Sequence, residues 1–459
     1  MKQIEDTILG KEINQIISNP NSKYNYVKHS CILHTFKLDI NIDLVESIEI
    51  MRDYNNNIAD YTLATFYMQM GDYVKDIYPF RDNLELTIVR NVYGIKYKER
   101  YKFVISNNQL GMIGSRYNSS SRDELNKLEQ ARIIGQCINR EVEALRLQYT
   151  SGVYEFTTVK DVMYSAMQTT INKLKIGGVK INPNINISNV HNTRNYQHVK
   201  IPTGVNILDL PSYIQDTTYG VYNGGIGTYL QRYSCVACTN LDLFIYPLYN
   251  NQVFDNFEKK LVIYGVNSVK FEMVEHTYLV DGDVVKIISG GSTRSMDSGE
   301  NDMMNNGNGY TYTDPNLILE RNSIVTDNGV VVDSDKTNDG GFNKMRLDGS
   351  LLSKHLGPTD NAYKHRSDVL KSTMMVFQIQ WNHCNIDLIY PGMPVMYTYM
   401  DIEYGLVKLK GAVQSLYAMY NEGTKTVNAL MNIMVEKPYI DPTTTLKKND
   451  VYNTKAGVN

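Results

Sequence analysis

The sequence predicts a mainly β protein with some α, an α+β chain with two small β-barrels and a mixed α/β middle region. Stretches of alternating apolar and polar residues lie toward both ends, and a period of two marks a strand with one buried face. Between them lies a stretch with helical spacing and a turn-rich, aromatic run. The tripeptide Ile-Tyr-Pro also occurs at 77–79, 245–247 and 389–391, each time just before or within an alternating stretch. With 12 prolines in the chain, three in one context point either to a duplicated unit or to a recurring loop-to-strand corner without common ancestry. A proline can begin a strand but cannot sit inside its ladder.

Along the chain, residues 1–29 combine a short helix over Ile4 to Ile17 with an Asn-Pro-Asn-Ser turn, and read as an arm or edge contact. Alternation starts at Cys31 (Ile32, His34, Phe36, Leu38, Ile40). It continues through Val45 to Arg52, Tyr61 to Met70, Leu84 to Val89 and Tyr101 to Ile105, five strands that suffice for a small barrel. Ser121 to Ile134 has a serine cap and helical spacing, whereas Gln136 to Leu145 alternates as a strand. A helix of about 18 residues follows, capped by Thr157 or Thr158, with an apolar face of Val159, Val162, Met163, Ala166, Met167, Thr170, Ile171 and Leu174, and ended by Gly177-Gly178. Another helix covers Leu208 to Asp216. Residues 289–350 are rich in Gly, Asn, Asp and Ser, with one short strand at Ser323 to Val332, and read as an exposed, mobile excursion. Strand character returns at Met374 to Trp381. Past the third Ile-Tyr-Pro come a turn, a strand through Val395, Tyr397 and Tyr399, and a return strand to Gly411; strand character lasts to Pro438.

At 459 residues the chain has about three domains' worth of length at roughly 150 residues each. A net charge of −3 from 46 basic and 49 acidic residues gives no global electrostatic case for nucleic acid or an anionic membrane. The sequence has no run long and apolar enough to span a bilayer, and Met1 to Asp6 lacks the start of a signal peptide, so neither membrane insertion nor Sec export is expected. Five cysteines, odd and sparse, fit reduced thiols, and no disulfides are expected. Tyrosine is abundant, 35 copies against 11 Phe and 1 Trp, which suits half-buried strand faces and subunit interfaces.

Each candidate for chemistry has a plainer reading. Gly224-Gly225-Ile226-Gly227 resembles a phosphate-cradling loop in composition only, without the lysine or the spacing. Cys235 and Cys238 have half-site spacing with no second pair at finger distance, and suit packing better than chelation. Asp335, Thr337, Asp339 and Gly340 imitate the opening of a calcium loop, but Arg346 stands where a bidentate Glu is needed. His383 and Cys384 are adjacent, and on a strand they face opposite ways. No catalytic, cofactor-binding or metal residues are assigned.

Three places carry a family resemblance: Ile48 to Tyr54 leading to Ile77 to Leu84; Pro211 to Gln215 and Gly220 to Tyr222 with Leu243 to Tyr249; and Leu388 to Val395 with the return to Gly411. Here the chain resembles the baseplate hub proteins of contractile-tailed bacteriophages, a family with relatives in phage-like secretion machines. The resemblance implies a virion structural protein of the tail baseplate, made in the host cytoplasm and not an enzyme. It implies two hub-type barrels per subunit and a homotrimer presenting six barrels in a pseudo-sixfold ring. That ring would join a sixfold tail tube to a threefold spike, with the spike protein, tail tube proteins, baseplate wedge proteins and a tape measure protein as partners.

The resulting division is an arm at 1–29, a first barrel and its extension at 30–155, a mixed middle at 156–288, the excursion at 289–360, a second barrel at 361–440, completed by strands near 240–270, and a polar tail at 441–459. Another virion structural or receptor-binding tail protein, or a cell-wall-degrading tail enzyme, are the alternatives.

Overall fold

Alternation becomes a ring of strands in the computed structural model, which describes residues 8–18, 27–42, 44–92, 95–106, 125, 130–176, 179–180, 184–217, 219–234, 239–249, 259–266, 277–289, 291–294, 324–326, 329–331, 363, 367, 374–401, 405–421 and 426–436. The first barrel comprises β1 (Val27–His34), β2 (Asp39–Ile42), β3 (Val45–Asp53), β4 (Tyr61–Met68), β5 (Leu84–Val92), β6 (Ile95–Ile105) and β7 (Ala131–Ile138). Its pairs, β1 with β5, β5 with β6, β6 with β7, β7 with β4 and β4 with β3, are all antiparallel. β2 pairs back on β1 and runs on into β3, which closes the ring. Inward residues Leu33, Ile48, Phe66, Leu86, Phe103 and Ile133 are buried, the apolar phase that the alternation specifies.

The longer α-helices among the described residues are α1 (Ile8–Ser18), α2 (Arg140–Arg146), α3 (Val159–Ile171) and α4 (Leu210–Asp216), and β4 ends at Met68, after which the chain turns helically through Met70–Asn83. α3 starts where Thr158 accepts a hydrogen bond from the Asp161 amide, and it buries Val159, Val162, Met163, Ala166, Met167 and Ile171. It is shorter than the expected 18 residues because its last turn closes on Ile171, whose carbonyl accepts from Leu174. The strand expected over Gln136 to Leu145 needs correction: β7 ends at Ile138, and α2 occupies 140–146. Asn139 caps the Glu141 amide and Val142 and Leu145 share a buried face, so a local cap decides against the alternation.

Around α3 and α4 lie β8 (Tyr149–Thr158), β9 (Lys175–Ile176), β10 (Val179–Lys180), β11 (Asn184–Ile187), β12 (Asn195–Asn206), β13 (Ile226–Ser234) and β14 (Thr239–Pro247). β8 and β12 form a ribbon, and β11, β14 and β13 a three-stranded sheet. Val162, Met163, Met167, Ile201, Ile214, Tyr222, Leu243 and Ile245 share a core separate from that of the barrels.

The second barrel uses β15 (Lys260–Gly265), β16 (Tyr278–Asp281), β17 (Val284–Ser289) and β18 (Gly291–Arg294). After the hairpin of β19 (Ile324–Thr326) and β20 (Gly329–Val331), it continues with β21 (Met374–Trp381), β22 (Pro394–Asp401), β23 (Gly405–Asn421) and β24 (Thr426–Glu436). The single strand expected at 323–332 is thus two short antiparallel strands, Ile324–Thr326 paired with Gly329–Val331. The rest of the Gly/Asn-rich stretch after β18 lies largely outside the described residues, as does the tail. β18 pairs with β21, β21 with β24, β24 with β23 and β23 with β22, all antiparallel. β15 then joins β22 to β17 in parallel on both sides and completes the ring.

The two barrels share one strand plan. In the first, two successive strands (β2, β3) precede β4, an Ile-Tyr-Pro corner, and the run β5, β6, β7. In the second, two successive strands (β17, β18) precede β21, an Ile-Tyr-Pro corner, and the run β22, β23, β24. The pairings match throughout this block: β4 with β7 and β21 with β24, β3 with β4 and β18 with β21. Ile77 and Ile389, the first residues of the two corners, are both fully buried. The copy at 245–247 instead ends a strand, because Pro247 closes β14.

α1, from the opposite end of the chain, lies on the second barrel. Leu9, Ile13 and Ile16 pack against Val262, Tyr264, Val266, Leu279 and Ile288. Glu12 accepts from the Tyr264 hydroxyl at 3.0 Å and lies 3.4 Å from the Lys286 ammonium.

Candidate functional site at the seam of the barrels

β23 welds the barrels together. Its first half pairs with β22, and Ser415 to Asn421 pair with Asp53 to Ser47 of β3 in the first barrel. A bulge between Val413 and Ser415 marks the change of partner. The result is one continuous sheet and one shared core that runs from Leu33, Phe66 and Phe103 to Trp381, Val395 and Ile433.

Inside the seam, β3 places a cation in its apolar phase. Ile48, Ile50 and Arg52 point the same way, and Arg52 is 3% exposed. Its Nη1 donates to the Ile386 carbonyl at 2.7 Å and its Nε to Asp60 Oδ2 at 3.3 Å. Asp60 Oδ1 accepts from the Tyr229 hydroxyl at 2.7 Å, and Gln231 Nε2 donates to the Ile389 carbonyl at 2.9 Å. The Tyr246 hydroxyl donates to the Tyr54 carbonyl at 2.7 Å, while the Tyr54 and Tyr229 rings meet edge to face at 4.8 Å. A second tie runs from Arg90 Nη2 to Asp387 Oδ2 at 2.6 Å. First barrel, middle region and second barrel therefore meet on one buried polar node.

Burial works against the Arg52 charge, yet Asp60 and its neighbours hold its pKa above the ordinary arginine value. Burial first, then nearby Asp60, pushes the Tyr229 hydroxyl well above the usual tyrosine range. Beside the node is a cavity of about 50 Å³ lined by His29, Arg52, Arg90, Glu99, Cys384, Asp387 and Tyr420, among others. The His29 ring lies 4.1 Å from that of Tyr420, and its Nδ1 has no hydrogen-bond partner among the described residues. Burial, and then Arg90, lowers the His29 pKa to about 3.

Two of the Ile-Tyr-Pro copies meet here. A side chain at Gly392, whose φ is +71°, would come within 2.6 Å of the Tyr246 ring, and one at Gly227 within 2.5 Å of the same ring. Phe244 and Tyr390 stack with centroids 6.4 Å apart. On the outer face, Leu430, Tyr417, Met51 and Tyr61 stand opposite one another across β24, β23, β3 and β4, each 37–42% exposed.

The residues singled out from sequence do not converge. Gly224 has no room for a side chain, since a Cβ would sit 2.0 Å from the Tyr249 carbonyl oxygen. That glycine serves a close backbone approach. Cys384 is fully buried, its thiol pKa raised by burial, and His383 lies in a turn with φ +52°. Cys235, Cys238 and the 335–346 segment lie outside the described residues. Among the described residues no group of three or more His, Cys, Asp or Glu side chains is placed to hold a metal, and no helix is long and apolar enough to cross a membrane. Sequence reasoning missed the Arg52 node; an arginine in the apolar phase of a strand was the available signal.

No family model and no curated protein matches the chain. Among solved structures it is similar to a tail protein from Neisseria meningitidis, at 9% identity, covering 88% of this chain and 96% of that one, with a TM-score of 0.43. A 43 kDa tail protein of prophage MuSo2 from Shewanella oneidensis gives the same figures, 9% identity, 88% and 96% coverage and a TM-score of 0.43. An E. coli component of the type VI secretion system, described as structurally similar to the T4 bacteriophage tail proteins gp27 and gp5, matches at 9% identity over 89% of this chain and 77% of that one, with a TM-score of 0.38.

Proposed function

We propose that the chain is a structural subunit of a contractile phage tail, the central baseplate hub, acting as a homotrimer between the sixfold tail tube and the threefold spike. The observation that carries this reading is the fusion of two barrels of one strand plan through the single strand β23. Three chains with two like barrels each offer six like units, so a threefold assembly can present a near-sixfold face to one partner and a threefold face to another. The buried Arg52 node suits such a part, because a barrel pair locked by desolvated ionic and hydrogen-bonded ties passes load without changing shape. Spike and tube proteins would take the two faces of the ring, wedge proteins its outside, and the tape measure protein its axis. No bond chemistry is assigned.

Mass photometry of the purified chain, alone and with the spike protein, tests this reading. A species of about 157 kDa, three times the 52.4 kDa chain, is expected in at least one condition. A chain that stays monomeric in both overturns it.

A further inference from the structure

Each barrel turns a different surface away from the seam. Round the first ring the strands run β3, β4, β7, β6, β5 and β1, so β6 stands three strands from the seam strand β3 in either direction. Round the second they run β23, β22, β15, β17 with β18, β21 and β24, and β17 stands equally far from β23. β17 carries a hairpin with β16, as β2 does with β1.

Beside the first hairpin an open cleft of about 710 Å³ lies between the β1–β2 turn, β5, β6 and α2. Phe36 and Leu147 line it, 87% and 70% exposed. Glu85 holds both Arg100 and Arg140, while Lys102 pairs with Glu143 at 2.7 Å and Asp82 is the remaining acid of the lining. The cleft is thus balanced in charge as a whole but positive where two guanidiniums share one carboxylate. The turn of the second hairpin has the opposite character. Asp281 and Asp283 flank Gly282, whose φ is +59° and whose Cβ position has no atom within 4 Å. All three are exposed, and Val280 next to them is 46% exposed. The nearby cation Lys286, 3.3 Å from Asp281, is divided between that residue and Glu12.

We infer that the β16–β17 turn of one copy seats in the first-barrel cleft of a second copy, Val280 against Phe36 and Leu147, and the Asp281 and Asp283 carboxylates toward Arg100 and Arg140. This rests on the trimeric ring proposed above and names its interface. The two surfaces differ, which makes the contact heterologous, and a heterologous contact is the kind that closes a threefold ring. The seam sets where it falls: with β3 and β23 already joined, the contact between chains unites the sides that the seam leaves outward, and those carry the cleft and the turn. The shared strand plan sets its height, because the β1–β2 and β16–β17 hairpins hold matching places and a pseudo-sixfold ring puts both turns at one level along its axis. Large apolar side chains as exposed as Phe36 and Leu147, set beside arginines, have the composition of an interface.

The test is photo-crosslinking in the assembled trimer, with the spike protein present where the trimer needs it. A benzophenone amino acid is placed at Val280 in one variant and at Asp283 in another, and mixing 15N-labelled and unlabelled chains separates links between copies from links within one. The expected product joins one of these positions to a peptide within 34–38 or 140–147 of a different copy. Phe36→Ser, at a site too exposed to move the melting temperature of the monomer, should weaken the trimer about tenfold or more. A trimer whose links stay within one chain or reach other parts of the neighbour, or whose affinity is unchanged by Phe36→Ser, overturns this joint while the hub reading stands. A chain that never trimerises overturns both.

Discussion

The two barrels reach the same closed ring by different pairings. In the first, every pair is antiparallel and the strands fall between residues 27 and 138. In the second, β15 enters after the middle region and pairs in parallel with both β17 and β22. Parallel neighbours require crossover connections. The first barrel also leaves outer faces open, as the alternating burial of β7 shows, whereas β15 is buried along nearly its whole length because α1 covers it. What both retain is the block from β4 to β7 and from β21 to β24, with its Ile-Tyr-Pro corner. Ring closure tolerates a change of direction in one strand, while the corner and its three following strands stay constant.

The largest effect should come from uncoupling the two barrels. Arg52→Ala leaves the half-buried Asp60 without its cation and takes the guanidinium donor from the Ile386 carbonyl, a loss of about 3 kcal/mol. Urea unfolding should show it, with the single transition splitting in two as the barrels separate. A single unsplit transition at wild-type stability would mean that the node does not join them. Equivalence of the corners can be sharpened next. Ile77→Ala and Ile389→Ala each remove a fully buried side chain and should each cost about 2–4 kcal/mol. Losses differing by more than about 2 kcal/mol would show that the two corners carry unequal load.

The smallest effect concerns His29, which the first barrel holds neutral at the seam. Its pKa falls from 6.5 in the unfolded chain to about 3 in the folded one, so the unfolded state takes the proton first. Its contribution is complete above pH 6.5 and is lost as the pH falls toward 3, at about 1.4 kcal/mol per pH unit. Between pH 6.5 and 4.5 the wild type should lose about 2–3 kcal/mol more than His29→Phe. Equal pH slopes in the two proteins would rule out this role for His29.

Strands β3, β4 and β5 were legible because each has one wet face, and a wet face imposes period two. α3 was legible through its Thr158 cap and apolar stripe. The 136–145 stretch misled because alternation over a few residues cannot see that Asn139 caps a helix turn. β15 gave little signal, since a strand covered on both faces reads as a plain apolar run. The cavity beside His29 had none, because its lining comes from distant parts of the chain.

By itself, then, the sequence determined the mainly β class, the placing of most strands in the first barrel, α3 and the Ile-Tyr-Pro corners, because each is written in local periodicity or turn chemistry. Only the tertiary structure decided that the corners at 77–79 and 389–391 hold matching places in two rings, that β23 belongs to both, and that Arg52 is buried between them. Those facts depend on contacts such as Arg52 with Ile386, far apart in the chain, and no local pattern encodes which distant strand will be the neighbour.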